Sequence, residues 1–362
     1  MENGRIHSIR TVLADRGYDA LVSVQPATNQ YLSGMLAEMF EISSAIVITA
    51  DEAHFLTDSR YTEQAKSEVT GYEIADVKGD KLVRAGEKLS ALKVGKAAYN
   101  PAGLTVAEFN ELQRAFDGEL VADSRIGVEG RLRKSPGEVD TIRAASELAE
   151  GVMLELLPTL KAGMLERELA AAFEFEFKKR GAQGPSFDTI ALFGAASSLP
   201  HGRPGEKPLE SGDIVLLDFG CRRSGYCSDL TRTYVFDRIP AAWFEEIYAL
   251  TLKAQLAALE ALKPGVTGRE VDAVARNIIQ EGGYGDYFGH GLGHGVGVEI
   301  HEAPRLNPES DTVLEPGMVV TVEPGIYLPG KGGVRIEDLV VVTDDGCDIL
   351  TQSSKALKVL GT

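Results

Sequence analysis

The first 128 residues alternate apolar runs with amphipathic segments, a pattern that predicts alternating strands and helices. Apolar residues at helical spacing between Ile6 and Leu13 indicate an opening helix. Strands are predicted at DALVSV, SSAIVITA, AHFLTD and KVGKAAYN, and further helices at SRYTEQAKSEV and TVAEFNELQRAF. Because strands alternate with helices, we expect an α/β domain over residues 1–130.

The pattern changes after a polar, basic segment that leads into SPGE at residues 135–138. Serine at the N-cap, proline at the first helical position and glutamate at the third form a capping box, so a helix should begin there. Strand-rich sequence follows each of two predicted helix pairs, 136–158 with 165–180 and 240–262 with 267–281. This order predicts an α+β domain over residues 131–362 with a weak internal duplication.

Composition and charge narrow the function classes. With 44% hydrophobic and 25% charged residues, the 362-residue chain has the composition of a soluble globular protein. Its net charge of −17 argues against nucleic acid or an anionic membrane as a partner. Three cysteines without a CxxC pair argue against a disulfide framework and a thiolate metal site. We expect a cytoplasmic protein, since the sequence shows neither a signal-peptide core nor a run of 18 apolar residues.

The stretch 288–302, FGHGLGHGVGVEIHE, holds three of the six histidines, with glycine at every odd position from 289 to 297. Each glycine would cost a helix about 0.5–1 kcal/mol relative to alanine, so a strand is predicted. His290 and His294 would then share a face roughly 13 Å apart, too far to bind one metal ion together. His301 falls on the opposite face, so it joins them only through a bulge or twist. The glycines indicate that a substrate or second backbone comes close.

Two predicted hairpins each carry a pair of acids inside apolar strands. In GDIVLLDFGCRRSGYCSDLTRTYVF, Asp218 and Asp229 are almost symmetric about the turn, so they should face each other or nearly so. An alternative for this pair is that one aspartate is a turn or cap residue and the other forms an ion pair with Arg232. In VVTVEPGIYLPGKGGVRIEDLVVVT, Glu323 and Glu337 should also face each other across the hairpin.

Four carboxylates and one histidine have the charge and the donor types of a site for two metal ions. Two divalent ions bring four positive charges, and carboxylates can bridge ions about 3.5–4 Å apart. Oxygen-rich ligation with one imidazole favours Mn²⁺, Co²⁺ or Fe²⁺ over structural zinc. A water between two such ions ionises near neutral pH and becomes a nucleophile. His201, in the loop SLPHGRPGEKPLESGD, adds a group for binding a carbonyl or moving protons in a hydrolase.

Together these stretches resemble the pita-bread metallopeptidases, in the branch that contains aminopeptidase P and prolidase. The motifs LPHG, LLDFG with YCSDLTRTY, GHGLGHGVGVEIHE, TVEPGIY and GVRIED occur in the family's order and spacing over residues 135–355. TNQYLSG and DSRYTEQA resemble parts of the family's accessory domain. The resemblance implies a creatinase-type N-terminal α/β domain over 1–130, a pita-bread catalytic domain over 131–362, and a homodimer.

Carried over by position, the resemblance also implies roles for individual residues. The implied ligands of two divalent ions, Mn²⁺ first with Co²⁺, Fe²⁺ or Zn²⁺ as alternatives, are Asp218, Asp229, His294, Glu323 and Glu337. Asp229 and Glu337 match the bridging carboxylates, and Glu323 would also handle the proton of the nucleophile. The histidines that match those holding the substrate and stabilising the tetrahedral intermediate are His201, His290 and His301.

The implied activity is cleavage, in a small peptide, of the bond between an N-terminal residue and a following proline. A prolyl amide lacks an N–H and has a fixed ring, which explains why a dedicated enzyme is needed. Arg305 resembles the prolidase arginine that binds the carboxylate of a dipeptide, although a surface arginine fits the pattern equally. Arg335 matches a family arginine near the site, and its alternative role is to orient an acid. Dipeptides and longer peptides are both open as substrates.

Three other interpretations share this architecture. Creatinase-like enzymes hydrolyse a small guanidino compound without metal and lack the full ligand set. Methionine aminopeptidases have the ligands but lack an N-terminal domain of this kind. A binding or scaffold protein on the same fold would typically have lost ligands. Because all five ligand positions are filled, the sequence favours a metallopeptidase with a hydroxide between two ions as its nucleophile.

Overall fold

A computed structural model describes residues 4–36 and 42–361. The chain divides into two compact units, Met1–Arg131 and Leu132–Thr362. The first unit is an α/β structure and the second is α+β, so the predicted fold class is confirmed.

The first unit is a mixed sheet with helices on both faces. Its strands are β1 (Ala20–Ser23), β2 (Ser44–Thr49), β3 (Ala53–Thr57), β4 (Glu73–Asp76), β5 (Lys96–Tyr99) and β6 (Glu119–Ala122). Its helices are α1 (Gly4–Arg16), α2 (Pro26–Ser33), α3 (Thr62–Glu68), α4 (Lys81–Ala91) and α5 (Val106–Ala115). The strand order is β4-β3-β2-β1-β5-β6. Alternate residues of β2 enter two separate cores, Ile46 on one face and Val47 on the other, so the strand is apolar throughout.

The second unit repeats a helix pair followed by strands. Its helices are α6 (Pro136–Leu156), α7 (Glu166–Lys179), α8 (Ala242–Ala261) and α9 (Gly268–Glu281). The strands before α8 are β7 (Gly184–Pro185), β8 (Ile190–Phe193), β9 (Ile214–Phe219), β10 (Cys221–Arg223), β11 (Tyr226–Cys227) and β12 (Leu230–Phe236). Those after α9 are β13 (Gly293–Gly295), β14 (Glu302–Leu306), β15 (Val319–Val322), β16 (Gly325–Leu328), β17 (Gly332–Arg335), β18 (Asp338–Val342), β19 (Cys347–Ile349) and β20 (Val359–Leu360).

Each helix pair of the second unit covers the strands that follow it. Helices α6 and α7 share a core with β9 and β12, while α8 and α9 share another with β15 and β18. The main sheets have the strand orders β20-β12-β9-β8 and β14-β13-β15-β18-β19. This arrangement agrees with the predicted duplication, and every helix end lies within two residues of its predicted position.

Capping boxes explain where three helices begin. At α6, the Glu138 carboxylate accepts a hydrogen bond from the Ser135 backbone N–H at 2.9 Å, with proline at the first helical position. At α9, Thr267 and Glu270 form the same reciprocal pair, as Thr105 does with its glutamate at α5. The capping box predicted at residue 135 is therefore confirmed.

The two acid-bearing hairpins place their pairs of acids differently across the ladder. In the first, β9 pairs with β12 so that Thr231, and not Asp229, lies opposite Asp218. Asp229 therefore lies two residues from direct opposition, and the aspartates are diagonal neighbours whose side chains can meet on one face. This agrees with the prediction that they face each other or nearly so. In the second, Val322 pairs with Asp338, and the next pair beyond this ladder is Glu323 with Glu337. The predicted symmetry of the glutamates is confirmed.

The glycine-rich segment is a strand only in part. β13 spans Gly293–Gly295, which makes the longer predicted strand over 290–298 wrong outside those residues. Its backbone runs against two neighbours: a methyl group on Gly293 would lie 2.0 Å from the Thr321 carbonyl oxygen, and one on Gly295 would lie 2.3 Å from that of Ala303. The predicted close approach of a second backbone is confirmed. The register shifts between His294 and Gly295, in agreement with the predicted bulge or twist.

The close approach at Gly293 gives a stability prediction. Gly293→Ala should lower the free energy of unfolding by about 1–3 kcal/mol, because the added methyl group has no space beside the Thr321 carbonyl. Gly289→Ala is the matched control from the same segment, since no described heavy atom lies within 4 Å of its added methyl group. Urea unfolding of both variants, followed by circular dichroism, measures the difference. Equal midpoints would contradict the packing described here.

Candidate metal centre

Three carboxylates from different strands of the second unit converge at one point. Asp218 comes from β9, Asp229 from the residue before β12, and Glu337 from the residue before β18. Each offers an oxygen within 4.8 Å of an oxygen of the other two. Asp229 is 5% exposed and Glu337 is 1% exposed, so water screens their repulsion poorly.

His294 and Glu323 complete the group of five predicted ligands. The Nε2 atom of His294 lies 3.3 Å from Glu323 Oε1 and 3.6 Å from Asp229 Oδ2. Its other ring nitrogen, Nδ1, is 3.1 Å from the Gly295 carbonyl, which can only accept a hydrogen bond. Nδ1 therefore carries the proton, and the Nε2 lone pair faces the acids, as in a metal-binding histidine. Burial lowers the pKa of His294 to about 3, which keeps the ring neutral.

The crowding of acids shows in their pKa values. Burial raises the pKa of Glu337 well above its ordinary value, and the negative charges of Glu323 and Asp218 raise it further. Burial and the neighbouring acids have the same effect on Asp229. The pKa of Glu323 rises to about 7, mainly through burial, although Arg335 opposes the rise. Without positive charge among them, these groups bind protons instead.

This group fits a pair of divalent cations. Four carboxylates offer hard oxygen donors, and a neutral imidazole offers one nitrogen donor with its lone pair toward them. The Oδ1 atom of Asp218 is buried and accepts no hydrogen bond from any described residue. A buried carboxylate oxygen without a donor is costly, and a cation is the partner that its charge demands.

Arg335 is bound on every side by the protein. Its guanidinium donates to Tyr327 Oη at 2.8 Å, to Thr231 Oγ1 at 3.0 Å and to the Pro200 carbonyl at 3.2 Å, and it forms an ion pair with Asp218. Its side chain is 3% exposed. The structure therefore favours the alternative role of orienting an acid over direct substrate binding.

A buried polar network holds the backbone next to Glu337. Arg232 donates to the Glu337 carbonyl and forms a 2.8 Å ion pair with Asp338. Both side chains of this pair are 1% exposed. Arg232 thus pairs with neither Asp218 nor Asp229, and that alternative for the first hairpin is wrong. On the other side, the Thr231 hydroxyl donates to Glu337 Oε2 at 2.7 Å.

Two other candidate histidines, His290 and His301, have different surroundings. The Nδ1 atom of His290 lies 2.8 Å from the Gly291 carbonyl and Nε2 lies 3.0 Å from Tyr327 Oη. Burial lowers the pKa of His290 to about 4. The ring centroid of His301 lies 4.4 Å from that of His294, and the pKa of His301 is lowered by burial and by Arg305.

A cavity of about 540 Å³ opens over the acids, a size typical of small-molecule sites. The exposed side chain of His201 lines it from the loop before β9. Arg305 lines it from β14, directly opposite His294 in the β13–β14 ladder. All ten predicted site residues line this cavity.

Three further side chains contact the predicted site residues, and a two-residue strand period would have revealed two of them. Thr231 lies two residues after Asp229, and Thr321, which donates to Glu323 Oε1 at 3.1 Å, lies two residues before its acid. Tyr327 has no such signal, because its position depends on the separate ladder between β16 and β17.

A second set of metal-compatible side chains lies in the first unit. His54 is buried, with Nε2 2.7 Å from Glu52 Oε2 and Nδ1 3.2 Å from Glu73 Oε2. The two nitrogens point to different glutamates, both of them exposed, and Nδ1 forms no hydrogen bond with any described residue. Exposed acids around one histidine are common without an ion, so this group does not indicate a second metal site.

Comparisons with known proteins match both units of the chain. The model of metallopeptidase family M24 matches residues 140–344, and that of the creatinase/prolidase N-terminal domain matches residues 5–132. The chain is 39% identical to the uncharacterized peptidase YqhT of Bacillus subtilis, over 98% of this chain and 100% of that protein. It is similar to the solved Xaa-Pro dipeptidase from Bacillus anthracis, with a TM-score of 0.94, 40% identity and 99% of each chain covered. It is also similar to the X-Pro aminopeptidase from Thermotoga maritima, with a TM-score of 0.91, 36% identity, and 99% of this chain and 100% of that chain covered.

The raised pKa values predict proton release when metal binds. Glu323 has a pKa of about 7 in the folded, metal-free protein against an ordinary 4.5, so its contribution to stability is full below about pH 4.5 and is lost as the pH rises through about 7. The metal-free protein should therefore lose stability on this account as the pH rises from about 4.5 to about 7. Adding Mn²⁺ at about pH 6.5 should expel protons and restore stability.

Calorimetry of Mn²⁺ binding in two buffers with different ionisation enthalpies counts the protons released. The Glu323→Gln variant, which cannot lose this proton, should release fewer than the wild type. Binding enthalpies that do not depend on the buffer would show that the acids are already ionised and would contradict the electrostatics described here.

Proposed function

This chain belongs to metallopeptidase family M24, and from that premise we propose that it cleaves the bond between an N-terminal residue and a following proline in small peptides. The convergence of Asp218, Asp229, His294, Glu323 and Glu337 beneath one cavity is the observation that supports this proposal most strongly. The names of the similar solved proteins, an Xaa-Pro dipeptidase and an X-Pro aminopeptidase, point to the same bond.

The metal ligands in this proposal are the five converging side chains. Asp229 and Glu337, the most buried of the acids, would be shared between two ions. Mn²⁺ suits the oxygen-rich donor set best, with Co²⁺, Fe²⁺ and Zn²⁺ as alternatives. When bound, such ions polarise a substrate carbonyl and acidify water near neutral pH.

Glu323 is the residue that accepts and returns the proton of the attacking water. Metal binding would leave this carboxylate ionised, and an ionised carboxylate within the site can accept a proton. The hydrogen bond from Thr321 and the contact with His294 fix the orientation of this carboxylate.

Two histidines face the space where the peptide would lie. His301 is exposed and its pKa is lowered, so a neutral ring N–H is available to the carbonyl before proline. His201 makes no hydrogen bond with any described residue and can bind the substrate from the opposite loop. His290 is occupied by Tyr327 and Gly291, so its role in this proposal is to support the wall of the cavity through Tyr327.

Arg305 is the residue that we assign to the proline carboxylate of a dipeptide. It lies opposite the ligand His294 and opens into the cavity, while Arg335 has its guanidinium filled by protein partners. A guanidinium fork suits a carboxylate better than a lysine would.

The competing interpretations fit the structure less well. A creatinase-like enzyme needs no cluster of buried acids, and a scaffold protein has no reason to bear the cost of crowding them.

None of the helices that the structure describes could span a lipid bilayer. A cytoplasmic location and a homodimer stay predictions.

Activity assays test the proposal. Metal-free protein should be inactive, and added Mn²⁺ or Co²⁺ should restore cleavage of Xaa-Pro dipeptides or Xaa-Pro-Yaa tripeptides. Asp229→Asn should lower kcat/KM about 100-fold or more, because it removes a charge from the centre of the site. Asp348→Asn, at an exposed position on β19, is the matched control and should retain full activity. Absence of cleavage with every metal, or full activity in Asp229→Asn, would refute the proposal.

A further inference from the structure

A second arginine opens into the cavity in addition to Arg305. Arg203 lines the cavity from the loop that also carries His201. Its side chain is exposed, and it makes no hydrogen bond or ion pair with any residue that the structure describes. Asp188 also lines the cavity but forms no ion pair with it among the described residues. An arginine without a protein partner at the wall of a substrate cavity is free to bind a ligand.

The loop that carries Arg203 is a fixed wall. Gly202 packs against the sheet, since a methyl group there would lie 2.6 Å from Leu192 Cδ1. The buried carboxylate of Glu166 accepts hydrogen bonds from the backbone N–H groups of Phe193 at 2.7 Å and Gly205 at 2.9 Å. Pro204 restricts the backbone of the arginine before it. Little ordering is therefore needed before Arg203 binds.

The two arginines hold different positions relative to the predicted ligands. Arg305 is the strand partner of His294 in the β13–β14 ladder. Arg203 lies in the loop between β8 and β9 and is not a ladder partner of any of the five predicted ligands. We therefore take Arg305 as the inner cation of the cavity and Arg203 as the outer one.

We infer that Arg203 binds the terminal carboxylate of the residue after proline, so that this chain accepts Xaa-Pro-Yaa tripeptides as well as dipeptides. The inference rests on the proposed function. One further residue moves the carboxylate outward by about 3.3–3.6 Å, away from the inner arginine and toward the outer one. Both arginines would then select for a free carboxylate, each at its own peptide length.

The test compares free-acid and amidated peptides. For the wild type loaded with Mn²⁺, the ratio of kcat/KM between acid and amide is measured for Ala-Pro and for Ala-Pro-Ala. Arg203→Gln should lower the ratio about tenfold for the tripeptide pair, because one charge-assisted contact is lost. Arg305→Gln should lower the ratio for the dipeptide pair instead. Thermal midpoints of both variants check that the fold is intact.

Arg167→Gln is the matched control for Arg203. It removes the same charge from α7 beside this loop, but Arg167 pairs with Glu206 and does not line the cavity. Both ratios should equal those of the wild type. An unchanged tripeptide ratio in Arg203→Gln, or an equal fall at both peptide lengths, would overturn the inference while leaving the proposed function standing. A wild type that cleaves none of the four peptides would overturn both.

Discussion

The repulsion among buried carboxylates is the constraint on which the rest of this structure depends. Asp229 and Glu337 are almost inaccessible to water, and their neighbours carry the same charge. Such a group is stable only if positive charge enters it or if protons neutralise it. Arg335 supplies one positive charge but is committed to Asp218. The remaining negative charge is what makes this cavity a site for cations and for hydrolysis.

The surrounding fold is organised to hold these acids in place despite their repulsion. Arg232 and Asp338 form a buried ion pair behind the second hairpin, and Arg232 also holds the backbone of Glu337. On another side, backbones pass so closely at Gly293 and Gly295 that only glycine fits. The glycines fix His294 at the acids because they let its strand lie between two others.

Period-two patterning and symmetry about a turn predicted much of this site. The opposition of Glu323 and Glu337 follows from sequence because an uninterrupted register runs through both of their ladders. The first hairpin follows less closely, because its turn is centred between Ser224 and Gly225, one residue later than the midpoint of the two aspartates. Asp229 therefore lies two residues from the position opposite Asp218. The half-exposed edge strands β4 and β6 lack an apolar run, so no hydrophobic signal marked them. The partners of Arg335 come from four separate segments, which no local pattern brings together.

Counting and characterising bound manganese tests the central claim most directly. Metal-free protein would be titrated with Mn²⁺, the bound ions counted by equilibrium dialysis, and their magnetic interaction recorded by electron paramagnetic resonance. Shared carboxylates predict two ions per chain with a spin-coupled spectrum. A single ion per chain, or two ions with the spectra of isolated Mn²⁺, would contradict the view that these acids are gathered to hold a pair of cations.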